Sequence, residues 1–122
     1  MKILICDDDP MTLRTLEYQF KREGYETVKT ANGREAAKYL DENYDIDLLI
    51  ADLYMPMMTG MELVTYVRTN LQRLIPIVVI SRVNTDENIE QAMELGANAY
   101  LVKPFNLEEL SSAVKKVMNN EQ

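Results

Sequence analysis

The sequence contains no histidine, one cysteine and four glycines, and each scarcity excludes a class of function. Without histidine, the chain has no histidine-based catalytic triad, no histidine metal ligand and no phosphohistidine of its own. The lone cysteine, Cys6, excludes an internal disulfide and fits a reducing compartment, so we expect a cytoplasmic protein. The four glycines form no G-x-G-x-x-G motif after a strand, which argues against a flavin or dinucleotide carrier.

Long hydrophobic runs and an excess of positive charge are also missing. Apolar stretches are short, and Met1 leads straight into a strand pattern, so we expect neither a signal peptide nor a membrane span. The net charge of -7 argues against direct nucleic-acid binding. A length of 122 residues with 47% hydrophobic residues indicates one folded domain, residues 1–122.

Five short apolar runs alternate with five helical patterns along the chain. The strand patterns are residues 2–6, 25–29, 48–52, 76–80 and 99–102. Such alternation predicts an α/β domain with a single doubly wound, five-stranded parallel sheet and helices on both of its faces.

Four of the five helices begin with a common capping pattern, an Asn or Thr followed three residues later by Glu. The pairs are Asn32 with Glu35, Thr59 with Glu62, Asn84 with Glu87, and Asn106 with Glu109. The first helix has Asp9 as its N-cap and Pro10 at its first position. On the fourth helix, the spacing of apolar residues predicts that Ile89, Met93 and Leu95 face the core.

Polar side chains follow four of the five predicted strands. They are Asp7 and Asp8 after the first, Asp52 at the end of the third, Ser81 after the fourth and Lys103 after the fifth. Because parallel strands end at one rim, we expect these side chains to converge. Three carboxylates favour Mg²⁺ or Mn²⁺, and a carboxylate beside such a cation can accept a phosphoryl group. The set contains no general base. It therefore indicates a site at which the protein itself is modified rather than an enzyme that turns over a metabolite.

Four segments of the chain resemble the receiver domains of two-component response regulators. They are ILICDDDP (3–10), DLYMPMMTG (52–60), IPIVVIS (75–81) and GANAYLVKPF (96–105), and the resemblance covers nearly the whole chain. It implies a flavodoxin-like (α/β)5 sandwich with strand order 2-1-3-4-5. It also implies partners: a histidine kinase or histidine phosphotransfer protein, and a downstream protein or an output domain outside this chain. Neither direct nucleic-acid binding nor membrane insertion is expected.

The resemblance assigns roles to the residues of the rim. Asp52 resembles the phosphorylated residue, and Lys103 resembles the amine that pairs with it. Asp7 and Asp8 resemble the acid pair that binds Mg²⁺, with the backbone carbonyl of Tyr54 as a further ligand. We therefore expect a phosphoacceptor that catalyses only its own phosphorylation and slow dephosphorylation.

The resemblance also implies a conformational switch. Ser81 resembles the switch hydroxyl and Tyr100 the switch aromatic, while the Lys103–Pro104 peptide is similar to one that is usually cis. Phosphorylation is then expected to change the binding surface formed by the fourth helix, the fifth strand and the fifth helix.

The chain departs from the family pattern beside the expected phosphorylation site. Arg82 stands where a small residue is usual, and its side chain could crowd the site or hold phosphoryl oxygens. Tyr54 and Val83 occupy the two positions that tend to set the rate of hydrolysis in the family. Neither offers a carboxylate or an amide to orient water, so we expect slow self-dephosphorylation. Away from the site, Asn98, Ala99 and Ala113 stand at positions that resemble those where winged-helix regulators carry charged residues for dimer contacts.

Two other functions compete with the phosphoacceptor switch. A pseudo-receiver would bind partners without being phosphorylated, but every chemical position is filled here. A Mg²⁺-dependent phosphohydrolase with an aspartyl nucleophile would need a second acid close to Asp52, and Leu53 and Tyr54 supply none.

Overall fold

The chain folds into a five-stranded parallel sheet with helices packed on both faces. The computed structural model describes residues 1–119. The strands are β1 (Lys2–Cys6), β2 (Glu26–Thr30), β3 (Leu48–Asp52), β4 (Ile77–Ser81) and β5 (Ala99–Val102). The helices are α1 (Pro10–Arg22), α2 (Gly33–Glu42), α3 (Gly60–Thr65), α4 (Asp86–Leu95) and α5 (Leu107–Asn119), and a π-helical turn at Tyr66–Asn70 extends α3.

The strand order is β2-β1-β3-β4-β5, and every neighbouring pair is parallel. This confirms the predicted flavodoxin-like arrangement. β2 and β4 begin one residue later than the pattern predicted, at Glu26 and Ile77. All five carboxyl ends lie along one rim of the sheet because the strands run in the same direction. Within residues 1–119, no helix combines the length and the apolarity needed to cross a membrane.

Two apolar layers hold the helices against the sheet. The residues of β3 and β4 are buried throughout, and successive side chains point to opposite faces. One layer joins the sheet to α1 and α5 through Ile5, Leu16, Phe20, Ile50 and Val114. The other joins it to α2, α3 and α4 through Leu4, Leu40, Leu49, Leu63 and Ala92. Each large side chain buried in this way contributes about 1.5–3 kcal/mol, so the core fixes the rim above it.

Three of the four predicted capping patterns form, although not all are reciprocal. The Thr59 and Glu62 pair makes a complete capping box. Asn106 and Glu109 also exchange hydrogen bonds, of 2.7 and 3.3 Å. The Asn32 side chain caps α2, whose Glu35 carboxylate instead accepts from the backbone N–H of Ala31.

The predicted start of α4 was wrong by one residue. Thr85, not Asn84, is the N-cap, and its hydroxyl accepts from the backbone N–H of Asn88. Both residues are good caps, so the local sequence does not distinguish them. Ala92 is the fully buried residue of α4. Met93 was predicted to face the core, but its side chain is 41% exposed.

Arg68, in the π-helical turn, ties the end of α3 to the turn after α4. Its guanidinium donates to the carbonyl oxygens of Arg73, Ile75 and Gly96 and to the amide oxygen of Asn98. Gly96 has a positive φ of 119°, and a Cβ there would lie 2.8 Å from the Arg68 side chain. The carboxyl end of α4 is therefore tied to the segment before β4 by a partly buried network of charge-assisted hydrogen bonds.

Candidate functional site

Three carboxylates meet at the carboxyl rim of the sheet. Asp7 follows β1 and is fully buried, Asp52 ends β3 and is 9% exposed, and Asp8 faces solvent. One oxygen of each lies within 4.8 Å of the others. No other group of three or more Cys, Asp or Glu side chains in residues 1–119 is as close. The predicted convergence of these three carboxylates at the rim is therefore observed.

Lys103 links two of these carboxylates. Its Nζ donates to Asp7 Oδ2 at 2.9 Å and lies 3.6 Å from Asp52 Oδ1. The backbone N–H of Lys103 donates to the carbonyl oxygen of Ser81 at 2.7 Å, which fixes the end of β5 beside β4. The Lys103–Pro104 peptide is cis. The ammonium offsets part of the negative charge that Asp7 and Asp52 place close together.

The environment of Asp52 disfavours its ionised form. Burial raises the pKa of Asp52 to about 6, the negative charge of Asp7 acts in the same direction, and Lys103 opposes both. Without a bound cation, the negative charge of Asp52 would be poorly compensated. A bound cation would relieve this repulsion.

We expect the metal-free protein to lose stability as Asp52 ionises. The unfolded pKa is near 3.8 and the folded pKa is about 6, so the favourable contribution is complete below about pH 4 and lost as the pH rises through 6. Asp52→Asn removes this titration. In EDTA, the variant should gain about 2 kcal/mol over wild type between pH 4 and pH 8 by urea unfolding. A difference that does not change with pH would contradict the expectation.

The three acids lie in a pocket of about 260 Å³. Its lining consists of Asp7, Asp8, Asp9, Asp52, Tyr54, Arg82 and Lys103. The carboxylate oxygens of Asp7, Asp8 and Asp52 form the hard donor set that Mg²⁺ and Mn²⁺ prefer, so these residues fit such an ion. Val83 is not among the lining residues, in contrast to Tyr54 and Arg82.

Asp9 also lines the pocket, but its carboxylate is committed to α1. It accepts from the backbone N–H of Met11 at 3.1 Å and from the hydroxyl of Thr12 at 2.8 Å. The hydrogen bond from Thr12, followed by that from Met11, lowers the pKa of Asp9. The sequence interpretation of Asp9 as a helix cap is confirmed.

The two residues of the expected switch bond to the same neighbour. Ser81 is fully buried, and its Oγ accepts from the backbone N–H of Val83 at 3.0 Å. The hydroxyl of Tyr100 donates to the carbonyl oxygen of Val83 at 2.6 Å. Val83 lies between β4 and α4, so both side chains hold the segment that leads into α4.

Tyr54 has a partner that the sequence did not predict. The side-chain amide of Asn88, in the first turn of α4, donates to the Tyr54 hydroxyl at 3.1 Å. Tyr54 is 57% exposed and lines the acidic pocket, so this bond connects the rim of that pocket to α4. No local pattern predicts it, because the two residues are 34 positions apart.

Cys6 does not belong to the site. Its buried thiol donates to the carbonyl oxygen of Asn32 at 3.1 Å, and burial raises its pKa to about 12. The prediction of an unreactive core thiol is therefore consistent with its surroundings.

A parallel sheet of order 2-1-3-4-5, with three acids and a lysine at its carboxyl rim, is the arrangement of a signalling receiver domain. The chain belongs to the family described as "Response regulator receiver domain", whose sequence model matches residues 3–115. Members of this family are switches of two-component signalling.

Relatives of two kinds match the chain. Chemotaxis protein CheY1 of Helicobacter pylori is 37% identical over 120 residues, which cover 97% of each chain. The structure of Vibrio cholerae chemotaxis protein CheY4 superposes with a TM-score of 0.88 at 33% identity, covering 95% of this chain and 97% of that one. The transcriptional regulatory protein PrrA of Mycobacterium bovis is 33% identical over 117 residues, but these span only 49% of its length.

Proposed function

We propose that this chain is a phosphoacceptor switch that takes a phosphoryl group onto Asp52. The donor is a histidine kinase or a histidine phosphotransfer protein, and Mg²⁺ or Mn²⁺ assists. The observation that carries the proposal is the convergence of Asp52 with Asp7, Asp8 and Lys103 at one rim. We propose further that residues 1–122 form one receiver domain that acts in the cytoplasm and catalyses only its own phosphorylation and dephosphorylation. We expect it neither to bind nucleic acid nor to insert into a membrane.

The chemistry required of the chain is a single displacement at phosphorus. A carboxylate oxygen of Asp52 attacks the phosphorus atom, and the bond to the donor's nitrogen or acyl oxygen breaks, leaving its electron pair on the donor. Lys103 offsets charge on the transferred group. A metal ion held by Asp7, Asp8, Asp52 and the backbone carbonyl of Tyr54 would offset a further part of the charge when bound.

Labelling stoichiometry tests this function against its alternatives. The protein is incubated with acetyl phosphate and Mg²⁺, and both the intact mass and the released phosphate are followed. We expect one phosphoryl group per chain. Release of many phosphates per chain without a stable adduct would indicate a phosphohydrolase, and absence of any adduct would indicate a pseudo-receiver.

Phosphorylation is proposed to act on α4 through Val83. Drawing the Ser81 hydroxyl toward a phosphoryl oxygen would break its bond to the Val83 N–H. The carbonyl of Val83 carries the Tyr100 hydroxyl, so this movement would release Tyr100 as well. The α4–β5–α5 surface then takes a second arrangement, which a downstream protein or an output domain reads.

We expect beryllofluoride with Mg²⁺ to shift backbone amide resonances across α4, β5 and α5. In Ser81→Ala, the same additions should shift resonances at the rim but much less in α4 and β5. Heteronuclear NMR of both proteins measures this. Shifts confined to the Asp52 rim in wild type would exclude the proposed switch.

Tyr54 is expected to slow loss of the phosphoryl group. Tyr54 lines the acidic pocket and its hydroxyl accepts from Asn88, so we expect its ring to shield the line along which water must attack. Tyr54→Asn should shorten the lifetime about tenfold, which corresponds to roughly 1.4 kcal/mol of barrier. Decay of the phosphorylated mass peak after donor removal is the measurement.

Val83→Glu provides the comparison, because Val83 does not line that pocket. It should change the lifetime less than Tyr54→Asn does. A wild type that decays within seconds, or a Tyr54→Asn variant that outlasts it, would contradict shielding.

A further inference from the structure

Arg82 is a cation that the described structure leaves without a partner. It directly follows Ser81 at the carboxyl end of β4, is exposed, and lines both the acidic pocket of Asp8 and Asp52 and a neighbouring pocket beside Phe105. Within residues 1–119, it makes no hydrogen bond and no ion pair, whereas Lys103 in the same pocket contacts two carboxylates. The guanidinium is therefore available to a ligand that enters the pocket.

The charges of the site leave a place for a second cationic side chain. Asp7 and Asp8 each carry one negative charge, and a phosphoryl group on Asp52 carries nearly two. A divalent ion and the ammonium of Lys103 together supply three positive charges. About one negative charge would then stay uncompensated in a pocket where Asp52 is already largely desolvated. One guanidinium at this position neutralises it.

Arginine is chemically suited to this task. Its planar guanidinium donates two parallel hydrogen bonds to phosphate oxygens, and it keeps its charge at every relevant pH. A lysine would supply the charge without the paired geometry.

We propose that Arg82 binds phosphoryl oxygens, both those of the incoming donor and those of the aspartyl phosphate on Asp52. This inference rests on the proposed function. In the transfer from an acyl phosphate, an Asp52 oxygen forms the new bond to phosphorus, and the bond from phosphorus to the acyl oxygen breaks. The acyl carboxylate leaves with the electron pair. Arg82 takes up no proton and releases none; it offsets charge on the transferred oxygens.

The alternative role for the Arg82 side chain is to obstruct the entry of a phosphoryl group into the pocket. If Arg82 merely obstructed the pocket, its removal would strengthen the binding of a phosphoryl mimic and speed phosphorylation. If it binds phosphoryl oxygens, removal weakens both. The sign of the effect therefore separates the two roles.

Binding of beryllofluoride at saturating Mg²⁺ is the test, measured by titration calorimetry on wild type, Arg82→Gln and Arg82→Lys. We expect the affinity to fall about tenfold in Arg82→Gln and about threefold in Arg82→Lys, since lysine restores the charge alone. Arg22→Gln is the matched control, because it removes the same charge at the far end of α1. Its affinity should equal that of wild type.

A second measurement tests whether Arg82 also binds the phosphoryl group of the donor. The acetyl phosphate concentration that gives half-maximal phosphorylation rate should rise about tenfold in Arg82→Gln. Added salt should weaken beryllofluoride binding more in wild type than in that variant.

The outcomes separate this inference from the function on which it rests. Equal or tighter binding by Arg82→Gln, with normal binding by wild type, would overturn the role of Arg82 alone. Failure of wild type to bind beryllofluoride or to accept a phosphoryl group would overturn the phosphoacceptor function, and this role with it. Equal losses in Arg82→Gln and Arg22→Gln would show that net charge, not the position of Arg82, matters, and would also overturn it.

Discussion

Asp52→Asn should abolish phosphoryl acceptance and leave the fold intact. The amide has nearly the shape of the carboxylate, but its oxygen is a poor nucleophile and it cannot form a stable acyl phosphate. The substitution also removes a charge that burial and Asp7 disfavour, so the core under β3 should not suffer. Intact mass after treatment with acetyl phosphate and Mg²⁺ should show one phosphoryl group on wild type and none on the variant.

Asp41→Asn is the matched control for this substitution. Asp41 lies exposed on α2 and does not line the acidic pocket, so the same chemical change there should leave labelling intact. If Asp52→Asn still gained a phosphoryl group, another residue would be the acceptor, and peptide mapping of the adduct would identify it.

Divalent cation should stabilise the protein strongly. Asp7, Asp8 and Asp52 bring their oxygens within 4.8 Å of one another, and a bound ion replaces their repulsion with attraction. At an ion concentration of about 100 times the dissociation constant, the free energy of unfolding should rise by roughly 2.7 kcal/mol. Thermal and urea unfolding in EDTA and in saturating Mg²⁺ measure the change.

Asp8→Ala should remove this stabilisation. Asp8 is the right carboxylate to delete because it faces solvent, whereas loss of Asp7 would also leave Lys103 without its closest partner. The variant should unfold at a higher temperature than wild type in EDTA and gain little from Mg²⁺. A full Mg²⁺ response in Asp8→Ala, or none in wild type, would exclude the site. Asp41→Ala should respond as wild type does.

The sequence predicted the sheet well because its signals are local. Each strand is a short apolar run that stops at a polar residue, and a buried parallel strand requires that pattern. The grouping of side chains at the rim could be predicted from topology. Because parallel strands end at the same edge of a sheet, Asp7, Asp52 and Lys103 were expected to lie close together. Their distances support that expectation.

The start and the inner face of α4 were harder to predict. Asn84 and Thr85 are adjacent and are both good caps, so the local pattern does not decide which of them begins the helix. The inner face of the helix also differs from the pattern: Ala92 is buried, while the larger Met93 is exposed. Hydrophobicity alone ranks these two residues in the opposite order.

Contacts between distant side chains could not be predicted at all. The hydrogen bond between Asn88 and Tyr54 joins the first turn of α4 to the loop after β3 across 34 positions, and neither residue belongs to a motif that would pair them. The position of the Val83 side chain outside the acidic pocket is a similar case, because it depends on how the segment after Ser81 leaves the sheet.

Because Arg68 holds the carboxyl end of α4 at Gly96, we expect the helix to move about that end. Arg68 donates to the carbonyl oxygen of Gly96, the C-cap residue of α4, while the amino end of α4 meets the rim through Val83 and Asn88. A displacement delivered at Val83 should therefore rotate the ten-residue helix, roughly 15 Å long, rather than slide it. Its amplitude should be greatest at Asp86 and fade toward Leu95. A partner that binds the first two turns of α4 would contact the part of the helix that moves most. A partner that binds the last turn would contact a part that hardly moves.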